Sequence, residues 1–346
     1  MRAIKPIRLA VVTETYPPDV NGVAISLSRL VGGLLERGHH IYLYRVRPRD
    51  SANRSESSVA DSSRLRITEL TGVPIPFYPE LMMGLPAGRL LVRRWRSEQP
   101  DLVHIATEGP LGWSALRAAR RLGIPVSSDF RTQFDQYSTH YDLAWLAAPV
   151  GACLRAFHNR TDLTTVPTSA LKQELGNRGF RKLRVLGRGV DSRQFDPVRR
   201  CDSLRAGWGA NPDTPVALCV GRLAAEKNLE LAIEAYRAMR DLVTDTKLVF
   251  VGDGPLRETL TKACPAAIFA GRQTGIELAR YYASADVFLF PSLSETFGNV
   301  VTESMASGLA TVAFRHAAAA DLIESGVTGW LSDPEDARSF INSARA

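Results

Sequence analysis

The sequence predicts an α/β chain of two domains, each a doubly wound parallel sheet, facing one another across a cleft. Three observations carry that prediction. The chain has 346 residues, beyond the size at which one core usually stops growing. Short apolar runs alternate with amphipathic stretches, the rhythm of strand, helix, strand. The rhythm breaks once, over residues 188–214, and then starts again.

The first set of strands is read at residues 8–13, 41–44, 101–105 and 163–166, with amphipathic helices at 26–37, 112–122 and 169–175 between them. A polar, serine-rich segment at 51–63 reads as a loop. Residues 188–213 are irregular, basic and rich in turn formers. The second set follows at 216–220, 247–251, 267–270, 287–290 and 311–313, with a helix at 229–239. The expected domains are therefore residues 1–188 and 189–346. Ligands of open α/β sheets bind outside the carboxyl ends of strands, so the loops leaving these strands are where chemistry is expected.

Hydrophobic residues make up 45% of the chain and charged residues 23%, an ordinary globular balance. No run approaches 18 apolar residues, so no membrane span is expected, and the N-terminal apolar stretch is broken by Arg8. The net charge of +7 favours anionic company: phosphates, nucleic acid or an acidic membrane surface. No interleaved aromatic and basic motif supports a nucleic-acid partner, and none is expected. Cys153, Cys201, Cys219 and Cys264 form no C-x-x-C pair, which suits a reduced, cytoplasmic protein without a zinc site.

Four strand exits carry the candidate chemistry. Glu295-Thr-Phe-Gly-Asn-Val-Val-Thr-Glu303 leads from a strand into a helix starting near Gly298. Its free N–H groups and positive dipole end suit a phosphate, and Glu303, leaning toward that end, can reach a ribose beside it. Glu295 lies one loop earlier. Gly221-Arg-Leu-Ala-Ala-Glu-Lys227 offers two cations, a fork and a point charge, for a diphosphate. Asn228, next in line, reads as the cap of the following helix. Gly252-Asp-Gly-Pro255 reads as a tight turn with Pro255 at the first helical position. Pro17-Pro-Asp-Val-Asn-Gly-Val23 opens a helix near Ala24, where Gly22 and Val23 present N–H groups to a phosphate; no Walker lysine is present.

Taken in this order, the four motifs resemble the GT-B retaining glycosyltransferases of family 4, and in texture the GDP-mannose-dependent α-mannosyltransferases and glycolipid-forming enzymes. The likeness spans nearly the whole chain. It implies two Rossmann-like domains, a nucleoside-diphosphate sugar donor (GDP-mannose or a UDP-sugar) held by the second, and a lipid or glycan acceptor bound by the first. Arg222 and Lys227 would neutralise the leaving diphosphate, with Gly22 also contributing. Gly298, Asn299 and Val300 would touch the donor through backbone groups, Glu303 would hold the ribose and Glu295 the donor sugar. Transfer would proceed with retention, by front-face attack. The family needs no metal or other cofactor, and the chain has no Asp-x-Asp motif. A non-catalytic nucleotide-sugar or lipid-binding protein is the alternative, and a UDP-sugar 2-epimerase a further one.

Two departures from the family pattern stand out. In Ser128-Asp-Phe-Arg-Thr-Gln-Phe134, Arg131 falls where members place a histidine. An arginine cannot serve as a base at neutral pH, so Arg131 enters the catalytic set as a holder of sugar or phosphate beside Glu295. His104 and His140 lie nearby in sequence and read as structural or surface residues. Members also continue past Leu331 with helices, and a shortened second domain is expected. Finally, Leu90-Leu-Val-Arg-Arg-Trp-Arg96 and Arg117-Ala-Ala-Arg-Arg121 read as basic helical faces. With their tryptophan, they suit peripheral contact with an anionic membrane on its inner face.

Overall fold

The computed structural model describes residues 5–19, 21–48, 63–75, 78–131 and 144–346. Val20, residues 132–134, His140 and all of the polar 51–63 segment except Ser63 lie outside the described residues. The chain divides into two compact units, Met1–Gly187 and Arg188–Ala346.

The first unit contains β1 (Arg8–Thr13), β2 (His40–Val46), β3 (Leu65–Leu70), β4 (Gly72–Ile75), β5 (Tyr78–Gly84), β6 (Leu102–Ile105), β7 (Val126–Asp129), β8 (Leu163–Val166) and β9 (Leu183–Val185). Its helices are α1 (Gly22–Glu36), α2 (Gly88–Glu98), α3 (Pro110–Leu122), α4 (Ala144–His158) and α5 (Ser169–Asn177). Seven strands form one sheet in the order β3-β2-β1-β6-β7-β8-β9, every pair parallel. β1 lies inside the sheet and is buried on both faces, which is why Leu9 to Val12 read as an apolar run. Successive side chains go to opposite faces: Leu9 and Val11 meet Leu27 and Val31 of α1, while Ala10 and Val12 join Trp95 and Leu116.

The β4–β5 pair is an antiparallel hairpin outside this sheet, a feature the strand–helix rhythm did not announce. Trp95 of α2 is 1% exposed and packs edge-on against Tyr44. The expectation that this tryptophan belongs to a membrane-facing surface is therefore corrected: it points into the core, and only the arginines 93, 94 and 96 of that stretch face outward.

The second unit contains β10 (Val216–Val220), β11 (Lys247–Val251), β12 (Ile268–Phe269), β13 (Val287–Phe290), β14 (Ala310–Phe314) and β15 (Gly329–Ser332). Its helices are α6 (Asp202–Gly207), α7 (Leu229–Arg240), α8 (Arg257–Ala263), α9 (Gly275–Ser284), α10 (Asn299–Ala306), α11 (Ala317–Leu322) and α12 (Ala337–Arg345). The sheet runs β12-β11-β10-β13-β14-β15, again all parallel. One of its faces buries Ala217, Cys219 and Phe250 against Leu231, Ala235 and Tyr236 of α7. The other buries Leu218, Val249 and Phe288 against Tyr282 of α9.

The stretch read as irregular, residues 188–213, contains a 3-10 turn at Pro197–Arg199 and helix α6. It is held by Arg205, whose buried guanidinium pairs with Asp286 at 3.0 Å and donates to the carbonyls of Ser284, Asn211 and Thr214. Turn formers mask this order because the bonds that impose it come from residues up to 86 positions away. All four cysteines are unpaired. Among the described residues no helix is long and apolar enough to cross a membrane.

Candidate active site

In the second unit the sheet order reverses between β10 and β13, which β11 and β14 flank on opposite sides. A topological switch point of this kind opens a crevice at the carboxyl ends of the two central strands. The loops leaving β10 and β13 carry the second-domain candidates, and the fold stitches them together. Leu293 N–H donates to the Glu226 carbonyl at 3.1 Å. Lys227 reaches across to Glu295, forming an ion pair between side chains that are both largely buried. Ser292 Oγ donates to the same Glu295 oxygen at 3.1 Å, and His316 sets Nε2 3.2 Å from the Glu295 carbonyl oxygen. Arg222 stays exposed, and with Gly221, Lys227, Leu289, Phe290 and Pro291 it lines a recess at this point.

The β10 loop rests on the exit of β11. A Cβ at Gly252 would lie 1.8 Å from the Gly221 carbonyl oxygen, so only glycine lets the two backbones meet here. Leu223 N–H donates to Asp253 at 3.0 Å and Leu256 N–H donates to Leu223 at 2.9 Å. The Gly-Asp-Gly-Pro turn therefore supports the Arg222 loop. Its proline is not the first helical residue, because α8 begins at Arg257 after Leu256. Asn228 also departs from expectation: it precedes α7 in a left-handed conformation, φ 50°, and its side chain makes no cap bond.

After β13, Gly298 sits at the N-cap of α10 with φ 86°, a conformation glycine adopts without strain. Asn299 and Val300 form the first turn, where backbone N–H groups lack intrahelical partners. Glu303 lies one turn further on. It is 7% exposed, and Tyr282 Oη donates to its Oε2 at 3.3 Å. Arg188 stacks over Phe297, 5.7 Å from the ring centroid, and so covers the loop that carries Glu295. Another open groove, beside Trp330, Asp336, Arg338 and Asn342, holds none of the candidate residues.

In the first unit the sheet reverses between β1 and β6. Helix α1 begins at Gly22, two residues earlier than the sequence suggested, and Asn21 caps it by accepting from Ala24 N–H at 2.8 Å. Arg131, at the end of β7, is 6% exposed. One Nη pairs with Asp129 at 2.5 Å and the other donates to Ser26 Oγ, on the first turn of α1. Its two Nη atoms are thus engaged by Asp129 and Ser26, while Nε is buried with no hydrogen-bond partner among the described residues.

His104 is buried and its Nδ1 lies 3.0 Å from Ser127 Oγ. Burial pulls its pKa down to about 4, against the opposing field of Asp129 and with a smaller push from Arg131, so the ring is neutral.

The same unit holds groups that sequence reasoning passed over. Glu14, at the exit of β1, accepts from Gly84 N–H at 3.0 Å, and burial pushes its carboxyl up to about 7, with Glu108 adding to the rise and the Gly84 bond opposing it. Glu108 pairs with the buried His158 at 3.1 Å, and His158 Nδ1 meets Ser128 Oγ at 2.9 Å. Isolated glutamates after apolar runs give no sequence signal for such burial. Ser292, His316 and Tyr282 were missed for the same reason.

Comparisons with known proteins show the family and the fold. The family model described as Glycosyltransferase Family 4 matches residues 20–194, and that described as Glycosyl transferases group 1 matches residues 214–346. A GDP-mannose-dependent alpha-mannosyltransferase of Corynebacterium glutamicum is 35% identical over 345 residues, covering 99% of this chain and 81% of the relative. The enzyme of the same name from Mycobacterium tuberculosis is 35% identical over 94% of this chain and 83% of its own. An alpha-monoglucosyldiacylglycerol synthase of Streptococcus pneumoniae is 27% identical, covering 94% and 75%.

Among solved structures, sucrose-phosphate synthase of Thermosynechococcus elongatus superposes with a TM-score of 0.75 at 20% identity, over 97% of this chain and 88% of that one. Anabaena HepE in complex with UDP gives 0.74 at 17%, over 98% and 89%. The chain belongs to glycosyltransferase family 4 and is a glycosyltransferase of the GT-B fold.

Proposed function

We propose that the chain transfers mannose from GDP-mannose, with retention, to a lipid or glycan acceptor. The observation that carries this reading is the convergence of Arg222, Lys227, Glu295 and the first turn of α10 on one switch point of the second unit's sheet. Arg222 and Lys227 supply positive charge where the bond from the anomeric carbon to the diphosphate oxygen breaks and negative charge builds on the leaving group. The N–H groups of Asn299 and Val300 add donors aimed along the helix axis, with Gly298 permitting close approach. Glu303 accepts from the ribose hydroxyls, and Glu295 meets the donor sugar after Lys227 turns to the diphosphate. The choice of guanosine and mannose rests on the relatives at 35% identity, which are GDP-mannose-dependent alpha-mannosyltransferases.

A lipid acceptor is favoured by the relatives that act on diacylglycerol and phosphatidylinositol mannosides. Peripheral contact with an anionic surface is supported by α3, where half-buried Trp113 lies between Arg117, at 5.9 Å, and Arg160, at 5.7 Å. Arg120 and Arg121 are exposed on the same helix.

A donor panel tests the reading: GDP-mannose, UDP-glucose, UDP-galactose and UDP-GlcNAc, each assayed for binding and slow hydrolysis. Binding and hydrolysis of GDP-mannose, both weakened by Glu303→Ala, are expected. Binding without turnover in the presence of lipid acceptors would favour a non-catalytic role. Flotation with vesicles containing anionic lipid tests the membrane contact, and equal recovery with neutral vesicles would exclude it.

A further inference from the structure

We infer that Tyr282 is a positioning residue for donor binding: its buried hydroxyl fixes the carboxylate of Glu303 in the orientation that receives the ribose. This rests on the reading of Glu303 as the ribose ligand.

The two residues come from opposite sides of one strand in the chain. Tyr282 lies at the end of α9, which feeds β13, and Glu303 lies on α10, which leaves it. Tyr282 is 0% exposed and its ring is clamped by Phe195, edge-on at 5.7 Å, and by Phe288 of β13 at 5.8 Å. The ring therefore cannot follow a moving carboxylate. From this fixed seat Oη donates to Glu303 Oε2 at 3.3 Å.

A glutamate side chain has three rotatable bonds, and a carboxylate at a helix's second turn has many orientations open to it. A hydrogen bond from an immobile donor removes most of them before the nucleotide arrives, so less ordering remains to be done on binding. Burial of both partners strengthens the bond, because no water competes for the oxygen. The aromatic contacts explain a tyrosine ring at this position, but Phe195 and Phe288 would pack as well against phenylalanine. The hydroxyl is the part that packing leaves unexplained, and Glu303 is its acceptor.

Tyr282→Phe keeps the ring and removes only the donor. The probes are GDP and UDP with their 2′,3′-dideoxy forms, measured by titration calorimetry on the full chain. Wild type is expected to prefer a ribonucleotide over its dideoxy form, and Glu303→Ala to abolish the preference. Tyr282→Phe is expected to weaken ribonucleotide binding by about tenfold, the order of one hydrogen bond to a charged group, and to leave dideoxy binding nearly unchanged.

A merely structural hydroxyl would weaken both forms alike or neither. Tyr282→Phe with wild-type preference, measured on a variant whose thermal transition is intact, overturns the inference alone. Preference retained in Glu303→Ala, or no nucleotide binding by wild type, overturns the donor-site reading and the inference with it. Glu303→Asp gives a second check, since its shorter arm draws the carboxylate away from Oη; it is expected to behave like Tyr282→Phe, and wild-type preference there also counts against the inference.

Discussion

The Lys227 ammonium and the Glu295 carboxylate form an ion pair that bridges the loops leaving β10 and β13, 68 residues apart in sequence. Each compensates the other's charge, so under the proposed function a diphosphate at Lys227 would compete with Glu295 for the ammonium.

The two partners should therefore respond oppositely to substitution. Lys227→Ala is expected to weaken GDP binding by about 10- to 100-fold. Glu295→Gln removes the competing carboxylate, so GDP binding should hold or tighten, while hydrolysis of GDP-mannose falls by about 100-fold. Calorimetry with GDP and a hydrolysis assay on the same preparations separate these effects. Weaker GDP binding in Glu295→Gln would show that the pair does not oppose the phosphate.

Glu14 gives a pH dependence with a definite sign. Its folded pKa is raised from the ordinary 4.5 of a glutamate to about 7, chiefly by burial. Below pH 4.5 both states hold the proton, and the contribution to stability is whole. Between 4.5 and about 7 the unfolded chain gives up its proton while the folded one keeps it, so stability falls as pH rises, by up to about 3 kcal/mol. Glu14→Gln should flatten this fall and be more stable than wild type at pH 8. Urea denaturation at pH 5, 6, 7 and 8 measures it, and parallel curves for the two proteins would refute the assignment.

Asn228 is left-handed and makes no side-chain cap to α7. A capping residue tolerates serine, whereas a left-handed position tolerates glycine. Asn228→Gly should thus lie within about 0.5 kcal/mol of wild type, and Asn228→Ser should cost about 1 kcal/mol. The reverse order in thermal unfolding would restore the capping role.

Arg131 joins the end of β7 to the first turn of α1 through Asp129 and Ser26. Arg131→Met leaves Asp129 without its cation and should cost about 3–5 kcal/mol, much of which the added Asp129→Asn should return. Additive costs in chemical denaturation would mean that the two side chains are not coupled.

The two parallel sheets and the strand exits where chemistry is expected are both legible in the order of apolar runs and turn motifs. The runs at β1, β8, β10, β11 and β13 are legible residue for residue, because strands covered on both faces are dominated by apolar and β-branched residues, as in the Leu-Thr-Thr-Val of β8. The strand-exit motifs followed from these, since a parallel sheet presents its ligand-binding loops at one end of its strands.

The partner of each polar side chain, by contrast, is set by contacts between distant parts of the chain. Arg131 meets Ser26 across 105 residues, Glu14 meets Gly84 across 70, and Trp95 turns inward to Tyr44. Local pattern fixes the face a residue occupies on its own element, but burial and pairing depend on what the fold brings against that face. A carboxyl that titrates near pH 7 and a guanidinium that ties β7 to α1 are properties of what the fold brings together.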